Sequence, residues 1–318
     1  MLWTYMLNLG YNMWNDFTGP MPRQFHPDLR VDRPLWDEIT NRLVDAGANS
    51  ILIDLGDGVR WDSHPEIAVN GAWTPDRLGE EVERLRSIGL EPFPKLNFSA
   101  CHDVWLGEYA RMVSTRTYYQ VCTDLINEAA TLFGSPQFFH LGMDEEDYDL
   151  QRDLHYVVIR QKDLWWHDVN LLADVARAAG SRPWVWADPM WFDLTYLDKM
   201  ARDVVQSHWY YTDEFAFDPT GQRPRLTVDV APDRTVTRDE RPLCFLDLDE
   251  HGFDQIPTGS SWSSDANMEL LTRFCLDNVS TDRLLGFLQT PWRPTQTPFA
   301  DRHFASIDQL GRARKLGG

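Results

Sequence analysis

Three consecutive acids, Asp144, Glu145 and Glu146, close the apolar run Phe138-Phe139-His140-Leu141-Gly142-Met143. Carboxylates crowded at a strand end raise one another's pKa, and a carboxyl kept protonated near neutral pH can give its proton to a glycosidic oxygen. The same run also suits the acidic first turn of a solvated helix, where Asp and Glu meet the positive end of the helix dipole. Spacing alone leaves both readings open.

Other polar groups stand in the same place, just beyond an apolar stretch. They are Asn8 and Trp14; Asp54, Asp57 and Arg60; Lys95, Asn97 and His102; Asp188; the run His208–Tyr211; Ser260–Trp262; and Gln289 with Trp292. A repeated unit must position them. An amphipathic stretch, a Gly or short polar break and four to six apolar residues recur along the chain, the pattern of parallel strands joined by crossover helices. In the clearest copy Thr74 is the N-cap, Pro75 takes the first helical position, Leu78, Val82 and Leu85 share a face, and Gly89 caps the end before a strand at Leu90–Leu96.

Further strands are predicted at Leu2–Leu9, Ser50–Leu55, Gln137–Leu141, Pro183–Ala187, Val204–Trp209, Phe253–Thr258 and Leu284–Gln289. Eight such units, with no Gly-rich phosphate loop after the first strand, predict an α/β chain folded as a single (β/α)8 TIM barrel over residues 1–318. Catalytic groups in such barrels stand at the C-terminal ends of the strands, where the polar tails fall. The polar, Pro-rich segment at about 212–241 is expected to be a long loop covering that face.

A net charge of −19 argues against nucleic acid and acidic membrane surfaces as partners, because both are bound through clustered basic side chains. No apolar run reaches the roughly 18 residues of a membrane helix. Cys101, Cys122, Cys244 and Cys275 are widely spread without a CxxC and read as buried free thiols. A cytoplasmic enzyme is the expectation, although a secreted chain already trimmed of its signal would read the same way. No cofactor is expected. No metal is expected either, since Asp54, Asp57 and His102, the densest candidate ligands, lack any distinctive ligand spacing.

The segment His140-x-Gly142-x-Asp144-Glu145 resembles the H-x-G-x-D-E signature of family 20 glycoside hydrolases, the β-N-acetylhexosaminidases. Leu52–Trp61 is similar to that family's Asp-rich second-strand segment ending in Trp. Lys95–His102 is similar to its third-strand segment ending in Pro-Gly-His, and Trp184–Asp188 to its Trp-x-Asp at the fifth strand. The resemblance implies an exo-acting, retaining glycosidase. In it Asp144 would orient a substrate 2-acetamido group as internal nucleophile, Glu145 would be the acid/base, and His102 would join a charge network with Asp54 or Asp57. The chain departs from the family at Met143, where a second Gly is usual, and at Ala100-Cys101-His102 in place of Pro-Gly-His. It also has no Arg in the first strand and no counterpart of the α+β domain that usually precedes the barrel. These departures bear on sugar specificity more than on fold.

Fourteen tryptophans, with Trp186, Trp209, Trp262 and Trp292 near strand ends, suit a sugar pocket as well as a core, because flat apolar sugar faces pack on aromatic rings. Lys95 could meet a substrate anion or pair with a neighbouring strand's carboxylate. Substrate contacts are expected from Asp54, Asp57, Arg60, Lys95, Asn97, His102, His140, Trp186, Asp188, Trp209, Tyr211, Trp262 and Trp292. The partner is a carbohydrate, and pairing into a homodimer is compatible with the sequence. Two rival functions stand beside this one. The first is a two-carboxylate retaining glycosidase with Asp188 as second acid, since Asp249 and Glu250 fall on the helix before the seventh strand; the second is a carbohydrate-binding barrel without catalysis.

Overall fold

Alternation along β1 (Leu2–Asn8) sends Tyr5 and Leu7 to one side and Met6 to the other, and both sides are buried. Burial on both faces is the mark of parallel strands sheathed by helices. The chain, in a computed structural model that describes residues 1–14, 24–215 and 236–317, repeats that arrangement around a ring. The strands after β1 are β2 (Ser50–Asp54), β3 (Glu91–Lys95), β4 (Phe138–His140), β5 (Arg182–Trp186), β6 (Val205–Ser207), β7 (Thr258–Ser260) and β8 (Gly286–Thr290).

All ladders are parallel, in the order β6-β5-β4-β3-β2-β1-β8-β7. The remaining seam between β6 and β7 is closed by single bridges, Gln206 to Gln255 and Trp209 to Thr258. Main-chain hydrogen bonds from Ile256 N to Gln206 O and from Thr258 N to His208 O, both 2.9 Å, run along it. The result is a (β/α)8 barrel. Its helices include α1 (Arg33–Ala46), α2 (Pro75–Ser87), α3 (Arg116–Leu132), α4 (Tyr148–Gln151), α5 (Asp163–Ala178), α6 (Tyr196–Lys199), α7 (Cys244–Glu250), α8 (Asn267–Asn278) and α9 (Ala300–Arg314). Thr74 caps α2 as predicted, its hydroxyl accepting from Arg77 N at 3.3 Å.

The seventh strand lies further along the chain than the predicted Phe253–Thr258. Pro257 has no N–H to give to a ladder, so residues 253–257 pair only through isolated bridges and the regular strand begins at Thr258. The loop expected at 212–241 lies largely outside the described residues, at 216–235.

The barrel interior is layered. Met6, Leu52, Phe93 and Phe138 pack with Trp184, Val205, Ile256 and Leu288 in an apolar plug. Two residues further along their strands, and therefore again pointing inward, stand Asn8, Asp54, Lys95 and His140, joined by the register Asn8 to Asp54, Asp54 to Lys95 and Lys95 to His140. Lys95 Nζ donates to Asp54 Oδ2 at 2.5 Å, and the lysine is wholly buried. Neither charge could stay here alone, because an unpaired ion at such depth costs several kcal/mol. Lys95→Met is therefore expected to lower unfolding stability by about 3–5 kcal/mol in denaturant titrations, and Asp54→Leu in the same chain to restore much of the loss. A double variant no more stable than the single would show that the pair is not the element at stake.

Candidate active site

Beyond β4 the backbone adopts left-handed values at Gly142 (φ 75°), Met143 (φ 75°) and Glu145 (φ 56°). At Gly142 nothing but glycine fits, since a Cβ would lie 1.8 Å from Asn97 Oδ1. For Met143 and Glu145 such values cost of order 1–3 kcal/mol each and persist only where the surroundings enforce them. Asn97, from the β3 tail, accepts from Met143 N at 3.3 Å and Ser99 N at 3.0 Å, and donates to Asp144 Oδ1 at 2.9 Å. Asp188, from the β5 tail, accepts Glu145 N at 2.8 Å and Trp209 Nε1 at 3.1 Å. Glu146 is drawn inward to the buried Arg160, which also donates to Phe98 O at 2.7 Å and Asp168 Oδ2 at 3.0 Å. The turn thus sends Asp144 inward, Glu145 to the barrel mouth and Glu146 into a structural ion pair.

His102 joins the first two. Its Nε2 lies 2.9 Å from Glu145 Oε2 and 3.3 Å from Asp144 Oδ2. Burial alone would favour the neutral ring, but the charge and hydrogen bond of Asp144, followed by those of Glu145, raise the His102 pKa to about 10. Burial pushes Asp144 upward, and His102, Lys95 and the Asn97 hydrogen bond outweigh it, leaving the carboxyl at about 2. Asp144 is therefore a fixed anion beside an imidazolium. The expectation that crowded acids raise one another fails at Asp144, because a cation stands between the carboxylates. At Asp188, outside that run, burial and then the charge of Asp144 lift the carboxyl well above the ordinary range.

Asp144, Glu145 and His102 open on a cavity of about 240 Å³. Its aromatic walls are Trp14, Trp209, Tyr211, Trp262 and Trp292, and Cys101 and Leu154 complete it. Trp209 and Tyr211 stack at 5.0 Å, and Trp292 Nε1 donates to Tyr211 Oη at 3.1 Å. Three of the four tryptophans singled out in the sequence thus face the cavity. Trp186 does not; it is buried behind Trp292, at 6.1 Å between rings, and against His140 at 4.4 Å.

Several other predicted contacts lie away from the cavity. Lys95 and Asp54 satisfy each other in the layer beneath. Asp57 is buried and accepts from Asn12 Nδ2 at 2.7 Å, and Arg60 is exposed on the outside. His140 Nδ1 accepts Gly142 N at 3.0 Å, so this histidine shapes the turn from inside the barrel. Asn97 acts on Asp144 rather than lining the cavity. His102 meets Asp144 and Glu145 instead of Asp54 or Asp57. Asp188, the candidate second acid, is buried with both oxygens engaged and opens on a different cavity from that of Glu145. Sequence reasoning missed Arg160, which lies in an irregular stretch with no periodic signal, and Cys101, whose place on the cavity wall is invisible in a lone thiol.

The barrel is similar in fold to solved β-N-acetylhexosaminidases. The enzyme from Bacteroides fragilis is 13% identical with a TM-score of 0.62, over 96% of this chain and 64% of that one. A mutant β-hexosaminidase of Streptomyces plicatus, in complex with the product GlcNAc, is 13% identical with a TM-score of 0.65, over 99% and 63%. The GH20 enzyme of Streptomyces coelicolor is 12% identical at 0.61, over 97% and 63%. This chain therefore spans less than two thirds of these proteins, and the likeness is one of fold. No family model and no curated protein matches the chain.

A raised His102 pKa has a direct readout. Imidazole nitrogen NMR should show His102 still protonated at pH 8 and titrating near 10. The pair contributes stability that is complete below the ordinary histidine pKa of about 6.5 and is lost as pH rises through the folded value. A His102 ring that titrates near 6.5 would mean that the carboxylates do not hold it as described.

Proposed function

We propose that the chain is a retaining glycoside hydrolase of the β-N-acetylhexosaminidase type, with Glu145 as general acid/base and Asp144 as the carboxylate that orients and stabilises the reacting sugar. One observation carries this reading: among the described residues the cavity's acidic lining consists of Asp144 and Glu145, set side by side in an aromatic enclosure sized for a single sugar ring. Aromatic faces would hold the apolar side of the ring and exclude water, and the acids and His102 would meet its polar groups.

The two acids have different surroundings and hence different tasks. Asp144, buried and held near pKa 2, stays ionised throughout and cannot supply a proton. It can accept a hydrogen bond from an acetamide N–H and balance positive charge growing at the anomeric carbon. Glu145 stands at the mouth, about one quarter exposed, where a leaving oxygen and later a water can reach it. With Asp188 opening on the other cavity, the described residues of these walls include no further carboxylate to act as enzyme nucleophile, which favours attack by the substrate's own acetamido oxygen on C1. The C1–O bond then breaks as the departing oxygen takes a proton through Glu145, whose Oε2 lies 2.9 Å from Nε2 of the protonated His102. Water, deprotonated by Glu145, opens the cyclic intermediate, so configuration is retained.

The first strand carries no arginine, which the family it resembles has there, and its last residue, Asn8, has Nδ2 committed to Arg293 O at 3.1 Å. Simple aryl β-GlcNAc is accordingly expected to turn over slowly compared with the best glycoside of a broad panel. The acid assignment is tested by leaving-group dependence. Glu145→Gln should cost on the order of 10²–10⁴-fold on an unactivated disaccharide and far less on aryl glycosides with good leaving groups. Asp144→Asn should slow both classes. Near-normal cleavage of the disaccharide by Glu145→Gln would remove Glu145 from the mechanism.

A further inference from the structure

Cys101, His102 and Glu145 each offer one donor atom to the same corner of the cavity: a thiol sulfur, an imidazole nitrogen and a carboxylate oxygen, all within 4.8 Å of one another. Each of the three residues lines the cavity. His102 is 4% exposed, and its Nδ1 is buried without a hydrogen-bond partner while Nε2 meets Glu145. Ligands around a tetrahedral ion, at about 2.0–2.3 Å from it, stand roughly 3.3–3.7 Å apart, so a modest closure of these side chains completes a coordination triangle. Mixed sulfur, nitrogen and oxygen donors select a borderline ion such as Zn²⁺ over Mg²⁺ or Ca²⁺, which take oxygen. Asp144, 3.3 Å from the imidazole, adds a negative charge behind the ligands and suits a dication. A fourth position is left towards the cavity, open to water.

We propose that Cys101, His102 and Glu145 form a binding site for one zinc-like divalent cation on the cavity wall. Binding exchanges protons for the metal without redox change. The thiol releases its proton to solvent and coordinates as thiolate, the imidazole releases the proton of the coordinating nitrogen, and Glu145 coordinates through a carboxylate oxygen. The sequence reading placed any metal among Asp54, Asp57 and His102, but Lys95 and Asn12 already occupy those aspartates. If Glu145 is the acid, the ion and the catalytic proton exclude each other and the metal is an inhibitor; this consequence alone rests on the glycosidase reading.

Titration of the full chain with cobalt(II), a spectroscopic stand-in for zinc, should show one ion bound with thiolate-to-cobalt charge-transfer absorption in the near ultraviolet, displaced by added zinc. Cys101→Ser, close in size to the native side chain, should abolish that absorption with circular dichroism unchanged. Glu145→Gln should weaken cobalt binding about tenfold or more. Absence of the band in the native chain, or its survival in Cys101→Ser, overturns the site. Cobalt bound through Cys101 by a chain that cleaves no glycoside would sink the glycosidase reading and leave the site standing; cleavage without the band would do the reverse.

Discussion

The barrel mouth depends on one backbone constraint: the chain leaving β4 must pass through left-handed conformations at Gly142, Met143 and Glu145. An ordinary extended continuation would throw successive side chains to opposite faces and could not put Asp144 and Glu145 on one cavity. The turn survives because three neighbouring segments grip it. Asn97 holds its start, Asp188 holds the Glu145 amide, and Arg160 holds Glu146. The strain sits where two carboxyls meet on one cavity, and the surrounding hydrogen bonds offset it.

Electrostatics then separate groups that are chemically alike. Asp54, Asp144, Glu145 and Asp188 are all carboxyls on neighbouring strand ends, yet each has its own partner. Lys95 neutralises Asp54, and His102 sits between Asp144 and Glu145. Asp188 faces an amide and an indole, with no cation bonded to it among the described residues. The layer below the mouth is therefore part of the site. Without the buried Lys95, Asp144 would lose one of the charges that keep it ionised.

Much of this was legible in the sequence. Helix caps and apolar runs located the strands because barrel strands are buried on both sides and read as continuous apolar segments, and the acids beyond Met143 marked the mouth. The seventh strand was misplaced because apolar content, not hydrogen-bonding capacity, was being read across Pro257. Side-chain destinations were harder. A strand tail shows which residues reach the mouth but not which of them pair with each other, so Asp57, Arg60 and His140 looked as available as His102. Lys95 was resolvable only as one of two alternatives until the register set it opposite Asp54. Arg160 carries the ion pair that removes Glu146 from the chemistry, and it lies in a stretch whose fold is dictated wholly by tertiary contacts.

The aromatic wall shows why fold and specificity can diverge. Trp209, Tyr211 and Trp292 are tied to one another by stacking and by the Trp292–Tyr211 hydrogen bond, and Trp186 backs them from the barrel core. Such a wall offers a flat apolar surface against which a pyranose ring would pack. On the proposed reading, discrimination among sugars would come from polar groups on the cavity wall, where Cys101 brings a thiol instead of a strong hydrogen-bond donor, while Asn8 lies in the buried layer beneath with its Nδ2 given to Arg293 O. If the chain is the glycosidase proposed, the parts that would hold any sugar are built into the fold, whereas the parts that would choose one are where it departs from the family it resembles.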